Sequence, residues 1–443
     1  MSIKRSVFEG FILESNDQKR TVDITSGAIV FEYFEDIFSP TITAKVKVVN
    51  TGNVIPSEKN SDGVKQSIYN GLPLRGGERL SIKISGNSEK NPGLDFSKKV
   101  EDYFYVSSIT DVISETQKES FTLHLVSREA ITNETSRIPK KYPTSSSIDT
   151  SVRKILTEYL KTNKFGIIDK TSNKYGFIGN MRKPFTILIW LASKSVPVSS
   201  GDGTAGFLFY QTVDGFQFRS IDGLIDQEPK AIYTYSEATV TYDSENTKND
   251  NDFKILNYIV DRNQNLIEKL RTGTYSSQRL FFNPLDFNFS NSVFKLSDYI
   301  KKTNNLGSEI KLPKISNSSN IGLGDIPTRI MSQIIDIGIM DPDVSTKPNA
   351  DPGKYQSQAL MRYNILFTQS LSIIVPSNTN LRAGDIIECN FPKISESDSK
   401  EYDPETSGLY MIKELCHHFD VERSYTSMKL VRDTFGPKSN TKK

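Results

Sequence analysis

The sequence predicts a mainly β protein with an α/β insertion: two antiparallel β-barrel domains and a small α/β module between them. Three observations predict it. Short runs of period-two alternation recur on both sides of residues 132–229. The period lengthens to that of a helix within that stretch and once more near residue 360. Apolar content is 36%, with 25 Phe and 19 Tyr carrying much of it, a composition that favours strands over helices. A chain of 443 residues exceeds one ordinary core, so several domains are expected.

The first unit, residues 1–131, rests on alternation. In 41–48, Ile42, Ala44, Val46 and Val48 point one way and Thr43, Lys45 and Lys47 the other. Leu80, Ile82 and Ile84 repeat the pattern, as do Phe121, Leu123 and Leu125; Tyr103–Val106 and Ile29–Tyr33 add further strands. Residues 52–78 lack periodicity and read as a long loop.

The α/β module, residues 132–229, begins where Ile148, Val152, Ile155, Leu156 and Tyr159 line one face of a helix over 148–160. Residues 184–224 then form the unit around which the chain is organised. Pro184 suits the first helical position, its φ being preset and its missing N–H costing nothing there. Phe185, Leu188, Ile189 and Ala192 recur at helical spacing over 184–194, and Trp190 with Leu191 widens the arc, so the helix is expected to be mostly buried. A hairpin over 207–219 follows, with Asp214-Gly215 between two aromatic runs as a type I′ turn signal. On this reading Trp190→Ala costs about 3 to 5 kcal/mol as a buried aromatic, and Gly215→Val is costly because a β-branched residue resists positive φ.

The second barrel is expected over 230–300 and 369–435. Its strands are read at Ile232–Tyr235, Ile255–Val260, Leu285–Phe289, Leu371–Val375, Asp385–Phe391 and Leu409–Phe419. Residues 301–368 form an excursion rich in Asn, Ser, Lys, Gly and Pro, holding a strand or short helix over Arg329–Ile339 and a helix through Ala359, Tyr363, Leu366 and Phe367. Residues 436–443, GPKSNTKK, read as a flexible tail.

Lys+Arg at 55 against Asp+Glu at 53 gives +2, too balanced to announce a nucleic-acid-binding protein. Cys389 and Cys416 exclude a disulfide scaffold. The N-terminal stretch lacks the pattern of a signal peptide, and no apolar run approaches a membrane span, so synthesis in a cytoplasm is expected.

No motif carries chemistry. Gly201–Gly206 matches G-x-G-x-x-G, but it follows a helix and opens a strand, the reverse of a dinucleotide site. Asp341-Pro342-Asp343 starts like a calcium loop, yet Thr346 and Pro352 stand where glycine and glutamate are needed. His417 and His418 point to opposite faces of a strand, and Cys416 with His418 falls short of a zinc ligand set. Acids such as Glu35-Asp36 are of the kind any acid-rich chain offers. No catalytic, cofactor-binding or metal-ligating residue is assigned; the residues singled out are structural: Trp190, Asp214, Gly215, Gly384 and Asp385.

The order of parts carries a resemblance. It runs from Tyr103-Phe104-Tyr105-Val106 through Phe121–Leu125, Ser127-Arg128 and Arg137-Ile138 to the helix Ile148–Leu160, and on through the helix-and-hairpin unit. It closes on Leu381-Arg382-Ala383-Gly384-Asp385-Ile386-Ile387, Gly408-Leu409-Tyr410-Met411-Ile412 and His417-His418-Phe419. This order resembles the baseplate central hub proteins of contractile-tailed bacteriophages, and the hub half of VgrG spike proteins. It differs from VgrG in ending soon after the last barrel strand, without needle repeats. The resemblance implies two tail-tube-like barrels per chain and a non-enzymatic homotrimer in the virion tail baseplate. It implies as partners a central spike protein, tail tube or tube initiator proteins and surrounding wedge proteins, with DNA passing through the channel without sequence-specific binding. The alternative is a tail-tip or cell-surface carbohydrate-binding protein or glycan hydrolase on a β scaffold.

Overall fold

The structure is a computed structural model. It describes residues 5–51, 55–56, 65–88, 91–115, 118–198, 204–235, 250–263, 265–284, 287–299, 303–308, 312, 314, 321–334, 355–393 and 402–436. Asp341-Pro342-Asp343, residues 201–203 of the glycine string 201–206, and the tail beyond Gly436 lie outside the described residues.

The fold is mainly β. Fifteen strands form one hydrogen-bonded sheet that runs through both predicted β regions. Its first half places Val7–Glu14, Arg79–Ser88, Phe104–Ser114, Lys118–Val126, Thr43–Thr51 and Ala28–Asp36 side by side. Their alternating apolar residues fill one core holding Phe11, Phe31, Val46, Leu80, Ile82, Phe121 and Leu123. The sheet curls, so that Phe11 meets Phe31 edge-on at 5.8 Å although four strands separate them. The latter part of the loop 52–78 joins this core through Ile68, Leu72 and Leu74. Glu119 anchors it by accepting from the Ile68 backbone N–H at 2.7 Å.

The second half comprises Ile232–Tyr235, Ile386–Asn390, Gly408–Asp420, Ser424–Arg432, Gln369–Pro376 and Asn257–Asn263. It curls likewise: Tyr258 lies 4.7 Å from Tyr235 and 4.6 Å from Phe391. Two pairings here depart from a purely antiparallel barrel, since Ile232–Tyr235 runs parallel to Ile386–Asn390 and to Lys254–Ile255.

The two halves are continuous because Gly408–Asp420 pairs with both. Along one edge it meets Ser424–Arg432; along the other its first residues meet Ile386–Asn390 and its last meet Ala28–Asp36, in register from Glu414 opposite Asp36 to Asp420 opposite Val30. A register shift between Ile412 and Glu414 makes this double role possible. Before it Tyr410 and Ile412 point inward; after it Leu415, His417 and Phe419 do. An extra residue in a strand reverses which side chains face a core. Tyr410, Ile412 and Leu415 thus fill the second core and Phe419 the first.

In the α/β module the helices Ile148–Glu158 and Pro184–Lys194 form where the spacing predicts them. The hairpin Phe207–Thr212 with Gly215–Ser220 is also present, and Phe165–Ile168 pairs parallel to it. Both hairpin faces are buried. Phe207 and Phe209 enter the helix-packed core, while Leu208 and Tyr210 turn toward Ile386 and Met411 of the large sheet. That explains an unbroken apolar run where a half-buried strand would alternate.

Three readings of the module need correction. Ile189 is 46% exposed, and the buried face is instead Phe185, Ile187, Leu188, Leu191 and Ala192. Trp190 is only partly buried, at the rim of the core, edge-on to Tyr175 at 5.4 Å and Phe177 at 5.7 Å. A wide apolar arc predicts burial without saying where packing ends. Trp190→Ala should therefore cost about 2 kcal/mol, below the range for core aromatics, as a shift of the thermal melt would measure. The turn also sits one residue earlier than Asp214-Gly215 suggests. Thr212 pairs with Gly215, Val213 and Asp214 occupy the bend without positive φ, and Gly215 alone takes φ +113° as the next strand begins.

Another difference concerns the strands after residue 270. Ser276–Asn283 pairs with Asn288–Lys295 on one side and Arg329–Ile334 on the other in a separate three-stranded sheet. Residues 285–286 of the expected Leu285–Phe289 strand are outside the description, and Phe287 and Phe289 are 76% and 77% exposed. Alternation marks a strand but not its partner. The helix that packs here is Tyr355–Ile365, ending before Leu366.

Candidate functional site

The residues singled out from sequence converge, Trp190 excepted, on one junction that joins the first sheet, the hairpin turn and the Gly384-Asp385 turn. Its centre is Glu35, 2% exposed. The Glu35 carboxylate accepts from the Tyr33 hydroxyl, the Val213 N–H and the Ala383 N–H, each at 2.8 Å. Three chain segments far apart in sequence thus share one side chain. Arg382 bridges the same parts: its Nε lies 3.1 Å from the Asp214 carboxylate, and its Nη1 donates to the Leu381 carbonyl at 2.9 Å.

Gly384 takes φ +92°, and a Cβ there would lie 2.4 Å from the Tyr210 hydroxyl oxygen, so the turn can approach the hairpin only as glycine. Asp385 closes the turn by accepting from the Arg382 N–H at 2.9 Å, with Lys230 at 3.7 Å. Burial raises the Asp385 carboxyl above its ordinary range, against the pull of Lys230. Burial likewise pushes Glu35 up to about 7, although Arg382 and the three donors favour its charged form. In the sequence Glu35 stands out only as half of an ordinary Glu35-Asp36 pair, because an acid on a strand carries no periodic or motif signal; its inward phase beside Tyr33 was the available clue.

His417, fully buried, stacks on Tyr33 at 6.1 Å and faces the Thr426 hydroxyl at 3.0 Å. Burial, then the Arg382 charge, pushes its imidazole down to about 3, so it is neutral. His418 points to the opposite face, as the strand geometry requires. Its ring lies 3.1 Å from Glu32 and 3.3 Å from Asp420 and stacks on Tyr425 at 4.5 Å. Cys389 is buried and Cys416 half-buried, both free.

On that outer face lies a groove of about 690 Å³, flanked by Glu32, Asp36, Glu414, Lys45 and Lys429. Its acids are matched to cations: Glu32 to His418, Asp36 to Lys413 at 3.4 Å, and Glu414 to Lys413 and to Lys429 at 2.8 Å. Such an arrangement holds neighbouring strands together, while Glu35, which also lines the groove, is held by the Tyr33 hydroxyl and two backbone N–H groups. Among the described residues no group of three His, Cys, Asp or Glu could hold a metal ion, and no helix is long and apolar enough to cross a membrane.

The lattice predicts a pH dependence. Burial opposes the charge on His418, but hydrogen bonds to Glu32 and Asp420 outweigh it and hold the imidazole above its ordinary value of 6.5. The contribution of His418 is therefore complete below 6.5 and lost as the pH rises through the raised value. Denaturation midpoints of the wild type and His418→Gln should converge as the pH is raised, and a constant gap would contradict the pairing.

A second buried network secures the far end of the junction. The Arg362 guanidinium, 1% exposed, pairs with Asp222 and, at 3.5 Å, with Asp433, and donates to the Asn304 carbonyl at 3.0 Å. It pins the Tyr355–Ile365 helix to the hairpin module and to the end of the last strand.

No protein-family model matches the chain. In sequence, 262 residues, 58% of the chain, align at 20% identity with the probable baseplate hub protein gp334 of Vibrio phage KVP40. The aligned stretch covers 59% of that relative, less than two thirds of its length. In structure, the chain resembles a tail protein from Neisseria meningitidis MC58, with a TM-score of 0.50 at 9% identity over 96% of this chain and 97% of that one. It also resembles the 43 kDa tail protein of prophage MuSo2 from Shewanella oneidensis, with a TM-score of 0.51 at 9% identity over 96% and 100%. In sequence the chain is similar to a phage baseplate hub protein, and its fold is that of phage tail proteins.

Proposed function

We propose that the chain is the structural baseplate hub of a contractile phage tail, a ring-forming trimer that adapts the sixfold tail tube to the threefold central spike. The carrying observation is the Gly408–Asp420 strand, which joins two curled sheets into one body. Each chain then offers two tube-like units, residues 1–131 and, without the separate sheet that begins at Ser276, residues 230–263 with 369–435, held by the module 132–229. Three copies offer six such units around a threefold axis, which reconciles the two symmetries. The channel so enclosed passes DNA without reading its sequence, in keeping with a net charge of only +2. Spike, tube or tube initiator, and wedge proteins are the partners in the virion tail, after synthesis in the host cytoplasm. The role is mechanical: the buried ties at Glu35 and Arg362 fix the units relative to one another, and no step of covalent chemistry is assigned.

Light scattering on the purified chain, alone and co-expressed with the neighbouring spike gene product, tests this. The expected mass is three times the 49.9 kDa of one chain, at high concentration or with the spike bound. A monomer under both conditions, with no spike retained, would move the carbohydrate-binding alternative to first place.

A further inference from the structure

A groove of about 560 Å³ lies between the end of the Pro184–Lys194 helix, the start of the Tyr355–Ile365 helix and the inner face of the three-stranded sheet. Lys194, Arg279, Gln333, Gln356, Leu360 and Tyr363 are among its lining residues. Arg279 is 7% exposed. Its Nε donates to the Ser357 hydroxyl at 2.9 Å, and its Nη1 to the Gln333 and Gln356 side-chain oxygens at 3.2 and 3.1 Å. All three acceptors are neutral. Among the described residues no carboxylate pairs with this guanidinium, in contrast to Arg362 one helix face away, which has two.

The surroundings sharpen the imbalance. Gln356 and Ser357 belong to the first turn of an eleven-residue helix with no acid in that turn, so Arg279 sits against the positive end of a helix. Burial, and then the nearby Arg329 charge, disfavours the charged guanidinium. A desolvated cation held only by neutral oxygens, in a groove shared with a helix N-terminus and Lys194, is an arrangement that a counter-anion would relieve.

We propose that this groove binds an acidic side chain of a partner polypeptide, whose carboxylate meets Arg279 while the flanking peptide lies against Lys194, the two glutamines, Leu360 and Tyr363. The volume is several times that of one carboxylate or phosphate group, and amide, tyrosine and leucine linings suit a peptide better than a free ion. A guanidinium preorganised by Ser357, Gln333 and Gln356 is suited to carboxylate recognition. This site is independent of the hub reading; it stands or falls on the groove alone.

Trp190 supplies the readout, because Lys194 lies 5.8 Å from the centre of its ring and it is the sole tryptophan. The full-length protein is titrated with a blocked tetrapeptide of alternating aspartate and alanine, with its asparagine counterpart, and with inorganic phosphate. The aspartate peptide should change the fluorescence saturably and raise the melting temperature. The asparagine peptide should do neither, and phosphate should bind about tenfold or more weakly. Arg279→Gln should weaken peptide binding by about tenfold or more, while its own melting temperature without peptide stays at or above that of the wild type. A purely structural arginine would instead lower that temperature. Equal binding of the asparagine peptide, or undiminished binding by Arg279→Gln, overturns the proposal. Phosphate binding as tight as the peptide's overturns it too, reducing the groove to a site for an adventitious ion only. Should Arg279→Gln fail to fold, ionic strength decides: peptide binding to the wild type must weaken as salt is added, and salt-independent binding is contrary to the proposal.

Discussion

Replacing Gly215 by valine is expected to destabilise the protein by about 3 to 5 kcal/mol, combining backbone strain with overpacking. The two costs have separate origins. Gly215 holds φ +113°, outside the region open to a β-branched residue. A Cβ at this position would also lie 2.7 Å from the Lys164 carbonyl oxygen and 3.0 Å from the Gly166 nitrogen. Those are backbone atoms of the adjoining segment, fixed by the hydrogen bond from the Phe216 N–H to the same Lys164 carbonyl at 2.9 Å. They cannot swing aside as a flexible side chain would. Gly10→Ala is the matched control, since nothing lies within 4 Å of a Cβ there, and its effect should stay within about 0.5 kcal/mol. Equal melting temperatures for the two variants would remove the hairpin from its place in the core.

Glu35→Ala is expected to cost about 3 to 5 kcal/mol, the loss typical of removing one partner from a buried charged network. It strands the Tyr33 hydroxyl and the Val213 and Ala383 N–H groups and leaves the Arg382 charge with Asp214 alone. Glu35→Gln keeps an acceptor but turns an NH₂ group toward one of those donors, a change of about 1 to 2 kcal/mol. The glutamine also isolates the proton linkage. With its carboxyl raised from 4.5 to about 7, Glu35 holds its proton in the folded chain where the unfolded chain has released it. Stability should therefore fall as the pH rises from 4.5 to about 7 and level off above, with this part of the slope absent in Glu35→Gln. A slope unchanged by the substitution would show that Glu35 is not the titrating group.

The strands were legible wherever one face is dry and the other wet: Ile42 to Val48, Leu80 to Ile84 and Phe121 to Leu125 alternate because the first core lies on one side of them. Legibility failed where a second layer or a second partner intervenes. Phe207 to Tyr210, without alternation because both sides are covered, reads as a strand from its turn but not as a strand between two layers, and the phase reversal between Ile412 and Glu414 hides inside a run that reads as a single strand. Pairing across sequence distance was invisible, so the joining of Gly408–Asp420 to Ala28–Asp36 and the separate sheet of Ser276–Asn283 emerged only in three dimensions. Ser424–Arg432 was legible in principle, since Met428 and Leu430 alternate with Lys429, but it lies against the polar end of the chain. At the junction, Gly384 and Gly215 announced themselves through turn chemistry. Glu35 and Arg382 did not, because their roles depend on which distant backbone groups arrive beside them.

Negative-stain imaging of the purified full chain at high concentration, with the spike protein added in a parallel sample, tests the hub reading most directly. The predicted result is a population of rings of threefold symmetry with a stain-filled central channel, each built of three bodies that show two lobes apiece. Compact single particles with no ring in either sample would contradict it.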